Sequence, residues 1–493
     1  MNKRENRPVE LPILEALERH SQDERVSLHV PGHKSGFGLP TAFHTWAGDV
    51  ARLDQTEVAG LDDLYQPIGP IAHAQGLAAR AYGSDGTSFL VGGSTAGNLA
   101  AVLAAIGRRE RVIVARNSHQ SIWHALELAG ARAAVMTPPL LSTGIGGAVW
   151  GPITPALLRE AIAKWPDAKA VIVTSPTYTG VVSSLRELTL LAHSAGMMMI
   201  VDEAHGAHLP FHPALPESAV SAGADLVVQS LHKMTGAMTQ TGLLHYSGPR
   251  VDTARLQRAL RMVQTSSPSY VLLASIDTVR AELAHTGEER LGEAMERLAT
   301  AADNLRREHP GLLWEATEGV PVDPFKWLLY APALGCSGIE LADQLRIRHG
   351  IFTEWADEVH VLCAWSYANS AQDVAAVVSA LRDVGDHLQC KGQGDAHALS
   401  LDAASWGAHA IADLVELPLR TKLHEAPSVT VSLREAVGRR VVDAVTVYPP
   451  GVPLLLPGER MTQPLCDCIE AALQAQIRVD GLTGDGLHID CVG

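Results

Sequence analysis

The chain has 493 residues, 46% of them hydrophobic, which is enough for large buried cores in roughly two to four structural units. Its net charge of −15 disfavours nucleic acid as a partner, because an acidic chain repels phosphate backbones. The N-terminus lacks the apolar core of a signal peptide, and no apolar run approaches about 18 residues. We therefore predict a cytoplasmic protein with no membrane span.

The cysteines give no sign of a metal or redox site. There are six, and none forms a CxxC pair. Cys466 and Cys468 are two residues apart, which on a helix would point them to different sides. Ordinary reduced thiols are the favoured interpretation, and we predict no metal.

The predicted elements begin with an N-terminal arm over residues 1–40, in which a short amphipathic helix leads into the loop "SLHVPGHKSGFGLP". From about residue 80, short apolar runs alternate with segments of helical periodicity. The runs are "SFLVGG", "RVIVAR", "AKAVIVTSP", "MMMIVDEAH" and "ADLVVQS". This alternation predicts a parallel sheet covered by helices on both faces, in a large domain over residues 41–295.

Two smaller units are predicted to follow. A long helical stretch at about 276–308 would lead out of the large domain into a small α/β domain over residues 296–392. The segment "LQCKGQGDAHALSLDA" is a plausible linker. A C-terminal domain over residues 393–493 would contain "VYPPGVPLLLPGE".

Polar side chains follow several of the predicted strands, at the edge where open parallel sheets bind ligands. Ser94 and Thr95 in "GGSTAGN" begin a helix, where N–H groups and the helix dipole favour an anion such as phosphate. His119 follows the next strand, and Asp202 ends a later one. Taken singly, these residues are also explained as helix caps or structural side chains.

The last of these strands ends at Ser230, and His232 and Lys233 follow it. A lysine there is usually solvated. However, a phosphate site, an acid and a lysine about 30 residues after the acid together fit one cofactor, pyridoxal 5′-phosphate. The lysine amine bonds to the aldehyde, and the acid keeps the pyridine nitrogen protonated. A flat group such as the His119 ring would stack on the cofactor.

The ordered motifs resemble the pyridoxal-phosphate-dependent ornithine/lysine/arginine decarboxylase family of the aspartate aminotransferase fold (fold type I). They span about residues 27–460: "PGHKSGFG", "GLDDLYQPIGPI", "GGSTAGN", "NSHQS", "DEAHGAH", "SLHK", "QTSSPSY" and "YPPGVPLLLPGE". The length resembles the shorter members, which lack a response-regulator-like N-terminal domain. The resemblance implies an α/β fold with a mostly parallel seven-stranded sheet in a large domain, followed by smaller C-terminal α/β units.

The resemblance also implies roles for the residues of these motifs. Lys233 would bind the cofactor aldehyde, Asp202 would pair with the pyridinium nitrogen, and His119 would stack on the ring. The groups implied for the phosphate are Ser94, Thr95, Ser230 and His232.

Further contacts are implied around the ring and across a subunit interface. Ala204 and His205 would lie near the ring and its O3′. The segment "QTSSPSY" resembles one that reaches across a dimer, so Ser266 would touch the phosphate bound by the partner. We therefore expect a homodimer or higher homo-oligomer with active sites at the dimer interface.

The implied substrate is a basic amino acid, with arginine favoured over lysine or ornithine because short family members are often arginine decarboxylases. A basic side chain needs acids at the far end of the pocket, and the family motifs offer Asp62, Asp63 and Glu459. These acids are equally well explained as turn caps, for the first two, and as a surface residue after Pro457-Gly458, for the third.

Three positions depart from the family pattern. Gln120 stands where a lysine is expected, Leu231 where Thr or another small polar residue is common, and Trp355 where an aliphatic residue or Met is usual. The cofactor motifs themselves are intact. These changes would bear on substrate choice, and the sequence offers no account of Leu231.

The predicted reaction is loss of CO₂ followed by return of a proton to Cα, with His232 or Lys233 as the candidate donor. One alternative is another pyridoxal-phosphate enzyme of the same fold, such as an aminotransferase or a lyase. A second alternative is a non-catalytic homologue that binds the cofactor and regulates an enzyme. The intact set of Asp202, Ser230, His232 and Lys233 argues against that second alternative.

Overall fold

A computed structural model of the chain describes residues 9–22, 26–144, 147–390, 414–417, 427–448, 451–474, 477–484 and 486–492. Most of the predicted linker, and the first residues of the predicted C-terminal domain, lie outside these ranges. Two prolines of the "YPPGVPLLLPGE" motif, at 449 and 450, also lie outside them.

The helices of the described residues are α1 (Pro12–Gln22), α2 (Thr41–Ala47), α3 (Val50–Leu53), α4 (Pro70–Tyr82), α5 (Gly93–Ala105), α6 (Gln120–Ala129), α7 (Pro155–Lys164), α8 (Leu185–Ser194), α9 (Leu231–Met234), α10 (Thr253–Val263), α11 (Tyr270–Glu308), α12 (Gly338–His349), α13 (Ala371–Cys390) and α14 (Gln463–Gln474). Two short 3₁₀ turns lie at Leu209–Phe211 and Ala331–Leu334.

The strands are β1 (Gly86–Leu90), β2 (Arg111–Ala115), β3 (Arg132–Met136), β4 (Leu140–Gly144), β5 (Gly147–Trp150), β6 (Ala170–Thr174), β7 (Met198–Asp202), β8 (Leu226–Ser230), β9 (Gly242–Tyr246), β10 (Lys326–Tyr330), β11 (Trp355–Ala356), β12 (His360–Ala364), β13 (Leu414–Glu416), β14 (Ser428–Ser432), β15 (Val445–Tyr448), β16 (Pro453–Leu455), β17 (Arg478–Asp480) and β18 (His488–Val492).

The central sheet has the strand order β1-β9-β8-β7-β6-β2-β3-β13. Strands β8, β7, β6, β2 and β3 are parallel to one another, and β9 runs antiparallel to both of its neighbours. The predicted mostly parallel seven-stranded sheet is therefore confirmed. The short strand β13 from the C-terminal part of the chain adds an antiparallel edge to β3.

Both faces of this sheet are buried, as the apolar runs predict. Val112 and Val114 of β2 pack in one hydrophobic cluster with α5 and α6, whereas Ile113 and Ala115 pack in a second cluster with α7 and α8. Successive side chains of a strand point to opposite faces. Helices therefore cover the sheet on both sides, which leaves its edges and strand ends as the places for a ligand site.

Helix α11 carries the chain from the large sheet to a smaller antiparallel one. Ser269 caps its first turn by accepting a hydrogen bond from the N–H of Leu272, and its 39 residues span about 58 Å. The second sheet has the order β10-β12-β11 and shares a hydrophobic cluster with α11, α12 and α13. The last part of the chain forms the sheets β14-β18 and β16-β15-β17 with α14. The domain boundaries drawn from the sequence stay predictions.

The N-terminal arm contains a well-packed helix. Ile13 and Leu17 of α1 are buried in the cluster that holds α4 and the start of α11. The N–H of Ile13 donates to Asp277 Oδ2 on α11 at 3.0 Å. Within the described residues, no helix combines the length and the apolar character needed to cross a membrane.

Helix α5 lies unusually close to the sheet at Gly97. A Cβ atom at this position would lie 2.6 Å from Leu90 Cδ1 and 2.7 Å from Val228 Cγ1. Real Cβ atoms do not approach other atoms so closely, so a glycine is needed for this approach. The close packing brings the first turn of α5 next to the end of β8.

We expect Gly97→Ala to lower the free energy of unfolding by about 1–3 kcal/mol, because the added methyl overlaps both neighbours. The matched change is Gly76→Ala in the middle of α4, where a Cβ would meet only Arg80 Nη1 at 3.8 Å. That variant should be neutral, or stabilised by up to about 1 kcal/mol, because alanine is the better helix former. Urea unfolding of both variants measures the difference, and equal stabilities would contradict the tight packing of α5.

Candidate functional site

The ends of β7 and β8 bring the central polar residues together. The two strands are parallel neighbours, with Asp202 paired with Val228 in register. Asp202 is the last residue of β7, and Ser230 is the last residue of β8. The single helical turn α9 follows and carries His232 and Lys233. The structure therefore places the acid and the lysine at the same edge of the sheet, as parallel pairing requires.

Asp202 is a buried carboxylate with a relative exposure of 2%. Its Oδ2 accepts a hydrogen bond from Asn98 Nδ2 at 2.9 Å, and its Oδ1 accepts one from the N–H of Ala204 at 3.2 Å. No ion pair to Asp202 occurs among the described residues. A buried carboxylate held by two neutral donors is well suited to a cationic N–H group.

His119 caps α6 and is linked to Asp202 through a short chain of hydrogen bonds. Its Nδ1 accepts from the N–H of Ser121 at 3.2 Å and lies 2.9 Å from Ser121 Oγ. Asn98 Nδ2 donates both to that hydroxyl and to Asp202. Burial lowers the pKa of His119, and Asp202 opposes this shift only in part. The ring is therefore neutral and carries its proton on Nε2.

The predicted phosphate-binding residues lie at the start of α5. Ser230 Oγ donates to Ser94 Oγ at 2.8 Å, so the two hydroxyls from β8 and α5 are adjacent. The N–H of Gly93 donates to the carbonyl of Gln240, and Thr95 is exposed. His232 Nδ1 lies 3.0 Å from the carbonyl oxygen of Thr241 and donates to it, and burial lowers the pKa of His232.

Lys233 is one of two lysines that contact the ring of His205. Lys233 Nζ lies 3.2 Å from His205 Nε2, and Lys326 Nζ lies 3.2 Å from His205 Nδ1. Lys233 is exposed to solvent along the site, yet desolvation by the surrounding protein lowers its pKa against the opposing effects of Asp202 and Glu354. Burial also lowers the pKa of Lys326 to about 8 and holds that of His205 well below its ordinary value.

Two residues of this site were missed in the sequence. Lys326 begins β10 and is only 5% exposed, although lysine is rarely so buried. Its place beside the apolar run "FKWLLY" was the available signal. Glu354 lies just before β11, its charge acts on both Lys233 and Lys326, and its Oε1 accepts from Tyr178 Oη at 2.6 Å. It stands in "TEWAD", next to the noted departure at Trp355.

Two of the acids proposed for substrate binding are engaged with the backbone. Asp62 accepts hydrogen bonds from N–H groups at Ile68, Gly69 and Ile71, which fixes the loop that leads into α4. Asp63 is exposed and accepts from the N–H of Tyr65. These contacts match the turn-cap explanation of both residues.

Glu459 forms a buried ion pair with Arg116. Its Oε2 accepts from Arg116 Nη2 at 2.8 Å and its Oε1 accepts from Nη1, so the pair is bidentate. Arg116 is 1% exposed and directly follows β2. The pair joins the C-terminal part of the chain to the segment before His119. Both oxygens are thereby occupied, so the geometry supports a structural role for Glu459 and corrects the surface interpretation of it.

The remaining predicted positions are accounted for individually. Leu231 is completely buried and packs with Phe89 and Leu243, so this apolar residue anchors the turn that carries Lys233.

The other noted positions lie outside this turn. The N–H of Gln120 donates to the carbonyl of Gly451. Trp355 stacks on His360 at a centroid distance of 6.3 Å. Ser266 lies in an exposed segment before α11, and its contact with a partner's phosphate stays a prediction.

The chain is similar to known decarboxylases along almost all of its length. The family model "Orn/Lys/Arg decarboxylase, major domain" matches residues 11–319, and the C-terminal domain model matches residues 420–486. The chain is 33% identical over 490 residues to an arginine decarboxylase of Halalkalibacterium halodurans, and 33% identical over 491 residues to one of Bacillus subtilis. Each alignment covers 97% of both chains. A lysine decarboxylase of Pseudomonas aeruginosa is 25% identical, with 92% of this chain and 74% of that one covered.

Solved structures share the fold at lower sequence identity. Lysine decarboxylase A from Pseudomonas aeruginosa superposes with a TM-score of 0.82 at 23% identity, covering 98% of this chain and 80% of that one. A serine palmitoyltransferase solved with PLP superposes with a TM-score of 0.51 at 17% identity, covering 65% of this chain and 77% of that one. These likenesses show the fold.

Proposed function

Because the chain belongs to the Orn/Lys/Arg decarboxylase family, we propose that it removes CO₂ from a basic amino acid, arginine first, with pyridoxal 5′-phosphate as cofactor. The proposal rests on one observation. Buried Asp202 and accessible Lys233 follow neighbouring parallel strands and lie at the same edge of the sheet. Arginine is favoured because the relatives that are 33% identical over nearly the whole chain are arginine decarboxylases.

The residues at the site fit this cofactor at each of its ends. Asp202 would hold the pyridinium nitrogen, because it is a buried carboxylate without a cationic partner in the described chain. Ser94 and Ser230 would hold the phosphate together with the N–H groups of Ser94 and Thr95 in the first turn of α5. Lys233 would bind the aldehyde carbon. When bound, the cofactor supplies an electron sink for the electron pair left by CO₂.

The other side chains orient groups and move protons. Neutral His119 would stack on the ring, with its Nδ1 fixed by the hydrogen bond from the first turn of α6. His232 uses Nδ1 to donate to the carbonyl of Thr241, so Nε2 of the neutral ring carries a lone pair and would have to take up a proton before passing one to a reacting carbon. Lys233 is the second candidate for that proton, because desolvation lowers its pKa towards neutrality.

Glu354 is the acid that we propose for the basic end of the substrate. Its charge acts on both Lys233 and Lys326, which places the carboxylate within electrostatic reach of the amine that binds the cofactor. Glu354 is exposed, and the Tyr178 hydroxyl orients it. Asp62 and Glu459, by contrast, are occupied by backbone and arginine contacts.

The chain is also proposed to act as a homodimer or a higher homo-oligomer. None of the seven residues of α2 is buried, and Phe37, Phe43 and Trp46 are exposed by 94%, 59% and 87%. Large apolar side chains exposed together mark a surface for another protein. A second copy is the proposed partner, since the family motif that contains Ser266 is predicted to reach across such an interface.

The first test measures attachment of the cofactor to Lys233 and release of CO₂ in the same protein. The purified chain with pyridoxal phosphate should release CO₂ from carboxyl-labelled arginine, and borohydride should fix the cofactor to the Lys233 peptide. Lys233→Ala should lack the cofactor's visible band, and its rate of CO₂ release should fall by roughly a thousandfold or more. The exposed Lys169→Ala serves as the control that keeps both. Keto-acid formation instead, or no CO₂ from arginine, lysine or ornithine, would overturn the proposal.

The second test concerns Glu354. Glu354→Gln should raise the KM for arginine roughly tenfold to a hundredfold, because the negative charge that strengthens a hydrogen bond to the guanidinium is lost. A smaller change is expected for an amino acid with a neutral side chain. Glu340→Gln, at an exposed carboxylate in α12, is the matched control. Equal effects of Glu354→Gln on charged and neutral substrates would contradict recognition of charge by Glu354.

The third test concerns assembly. Sedimentation velocity should give at least twice the mass of one chain, and Trp46→Asp should shift the distribution towards monomer because a charge enters an apolar contact. Leu190→Asp alters an equally prominent exposed residue on α8 and should leave the mass unchanged. An active monomer would rule out the shared active site.

A further inference from the structure

Trp355 is a large aromatic residue beside the proposed substrate acid, and the proposed reaction gives it no role. It is half-buried in the two-residue strand β11, where it pairs with Leu362 of β12. Directly before it in the chain, the N–H of Glu354 donates to the carbonyl of Leu362 at 2.9 Å. The tryptophan and the acid are therefore attached to the small sheet at the same point.

The indole of Trp355 packs in the same place as the tyrosine that orients the acid. Trp355 and Tyr178 both pack against a small hydrophobic cluster, which Val149 of the hairpin β4–β5 forms with two leucines of the small sheet. The hydroxyl of Tyr178 donates to Glu354 Oε1 at 2.6 Å. A loss of bulk at Trp355 would loosen the packing of Tyr178, and with it the hydrogen bond that holds the carboxylate.

The ring of His360 stacks on the indole and is itself fixed at both nitrogens. The two ring centroids lie 6.3 Å apart, and the planes meet at 22°. His360 is 1% exposed. Its Nδ1 donates to Asp357 Oδ2 at 3.1 Å, because a carboxylate only accepts, and its Nε2 lies 2.5 Å from Thr143 Oγ1. A ring with contacts at both nitrogens is held in one orientation, so it presents a fixed face to Trp355.

The hairpin β4–β5 carries the Thr143 hydroxyl and packs tightly on the small sheet. A Cβ atom at Gly147 would overlap Thr143 Oγ1 and lie 3.0 Å from His360 Nε2. A Cβ atom at Gly144 would lie 2.7 Å from Tyr330 Cζ. The hairpin leaves the large sheet between β3 and α7, so these contacts fix the small sheet beside β11 relative to the large one.

We propose that Trp355 is a positioning residue that keeps the Glu354 carboxylate at a fixed distance from Lys233 and thereby selects substrates by the length of their basic side chain. The distance from the cofactor to the acid must match the distance from the α-amino group to the terminal cation of the substrate. A fixed acid rejects shorter and longer side chains, whereas a mobile acid accepts several lengths. The inference rests on the proposed function in taking Glu354 as the substrate acid and Lys233 as the cofactor lysine.

The first measurement compares basic amino acids of different length. The holoenzyme is assayed for CO₂ release from ornithine, lysine, arginine and homoarginine. Trp355→Leu should lower kcat/KM for the best of them about tenfold through KM, with kcat changed less than about twofold, and the preference over the others should shrink. Trp355→Phe keeps a flat ring against His360 and should restore most of the preference.

Two threonine variants test the contact with the hairpin. Thr143→Val removes the hydroxyl beside His360 at nearly constant volume and should weaken the length preference in the same direction as Trp355→Leu, which it replaces if that variant does not fold. Thr143→Ser keeps the hydroxyl and should keep the preference. The matched control is Thr300→Val, which removes an exposed hydroxyl that donates to the carbonyl of Glu296 in α11, and it should change neither KM nor preference.

A positioning residue acts through the residue that it positions, so the effects of changes at Trp355 and Glu354 should not add. In the Glu354→Gln background, Trp355→Leu should change KM by less than about twofold. A full tenfold effect of Trp355→Leu in that background, or an equal loss of kcat/KM for amino acids of every length, would overturn the positioning role.

A second measurement needs no substrate. The charge of Glu354 raises the pKa of Lys233, so the pH midpoint at which trinitrobenzenesulfonate labels Lys233 in the cofactor-free chain reports where the carboxylate lies. Glu354→Gln and Trp355→Leu should each lower this midpoint, and the double variant should lower it no further than Glu354→Gln alone. The other titratable groups whose charges interact with Lys233 stay the same in all these variants: Asp202, His119, His205, His232 and Lys326.

The two measurements separate this inference from the proposed function. Absence of CO₂ release from every amino acid would contradict the proposed function, whereas a lowered midpoint in Trp355→Leu that Trp355→Phe reverses would still support the positioning of Glu354. An unchanged or raised midpoint in folded Trp355→Leu, or an unchanged length preference, would overturn the inference even if arginine is decarboxylated.

Discussion

The buried carboxylate of Asp202 is the constraint on which the site depends. Asp202 is only 2% exposed, and burying a carboxylate is costly unless hydrogen-bond donors or positive charge compensate it. The amide of Asn98 and the N–H of Ala204 provide two hydrogen bonds, and Lys233 follows the neighbouring strand. This arrangement exists because β7 and β8 are parallel and end at the same edge. Asn98, in turn, is held there by the close approach of α5 at Gly97.

The large sheet supplies only part of the site. Lys326 comes from β10 and Glu354 from the residues before β11, and both strands belong to the smaller sheet. The fixed contacts of Asp202 and Ser230 would therefore hold the cofactor on one side. The smaller sheet contributes Glu354, whose charge raises the pKa of Lys233 and which we propose as the acid for the substrate. A change that shifts the small sheet would alter substrate binding and the pKa of Lys233 together.

The sequence predicted the part of the site that follows from strand order. Ser94, Asp202, Ser230 and Lys233 all follow short apolar runs, and the ends of parallel strands meet at one edge whatever the helices between them do. Leu231 could not be explained in the same way, because its partners Phe89 and Leu243 come from other strands. The sequence could not show whether the acids proposed for substrate binding are available to a substrate. Asp62 and Glu459 stand in family motifs, but only the folded chain shows that backbone N–H groups and Arg116 take up their oxygens.

The balance of charge around Lys233 suits the release of CO₂. Burial lowers the pKa values of His119, His205 and His232, so three imidazoles near the reacting groups are neutral at neutral pH. A cation beside the substrate carboxylate would stabilise its charged form and oppose its departure as a neutral molecule. Lys326 Nζ and Lys233 Nζ contact opposite nitrogens of the His205 ring. The neutral ring of His205 therefore lies between the two amines, and the charge of Lys233 contributes, after burial, to lowering the pKa of Lys326.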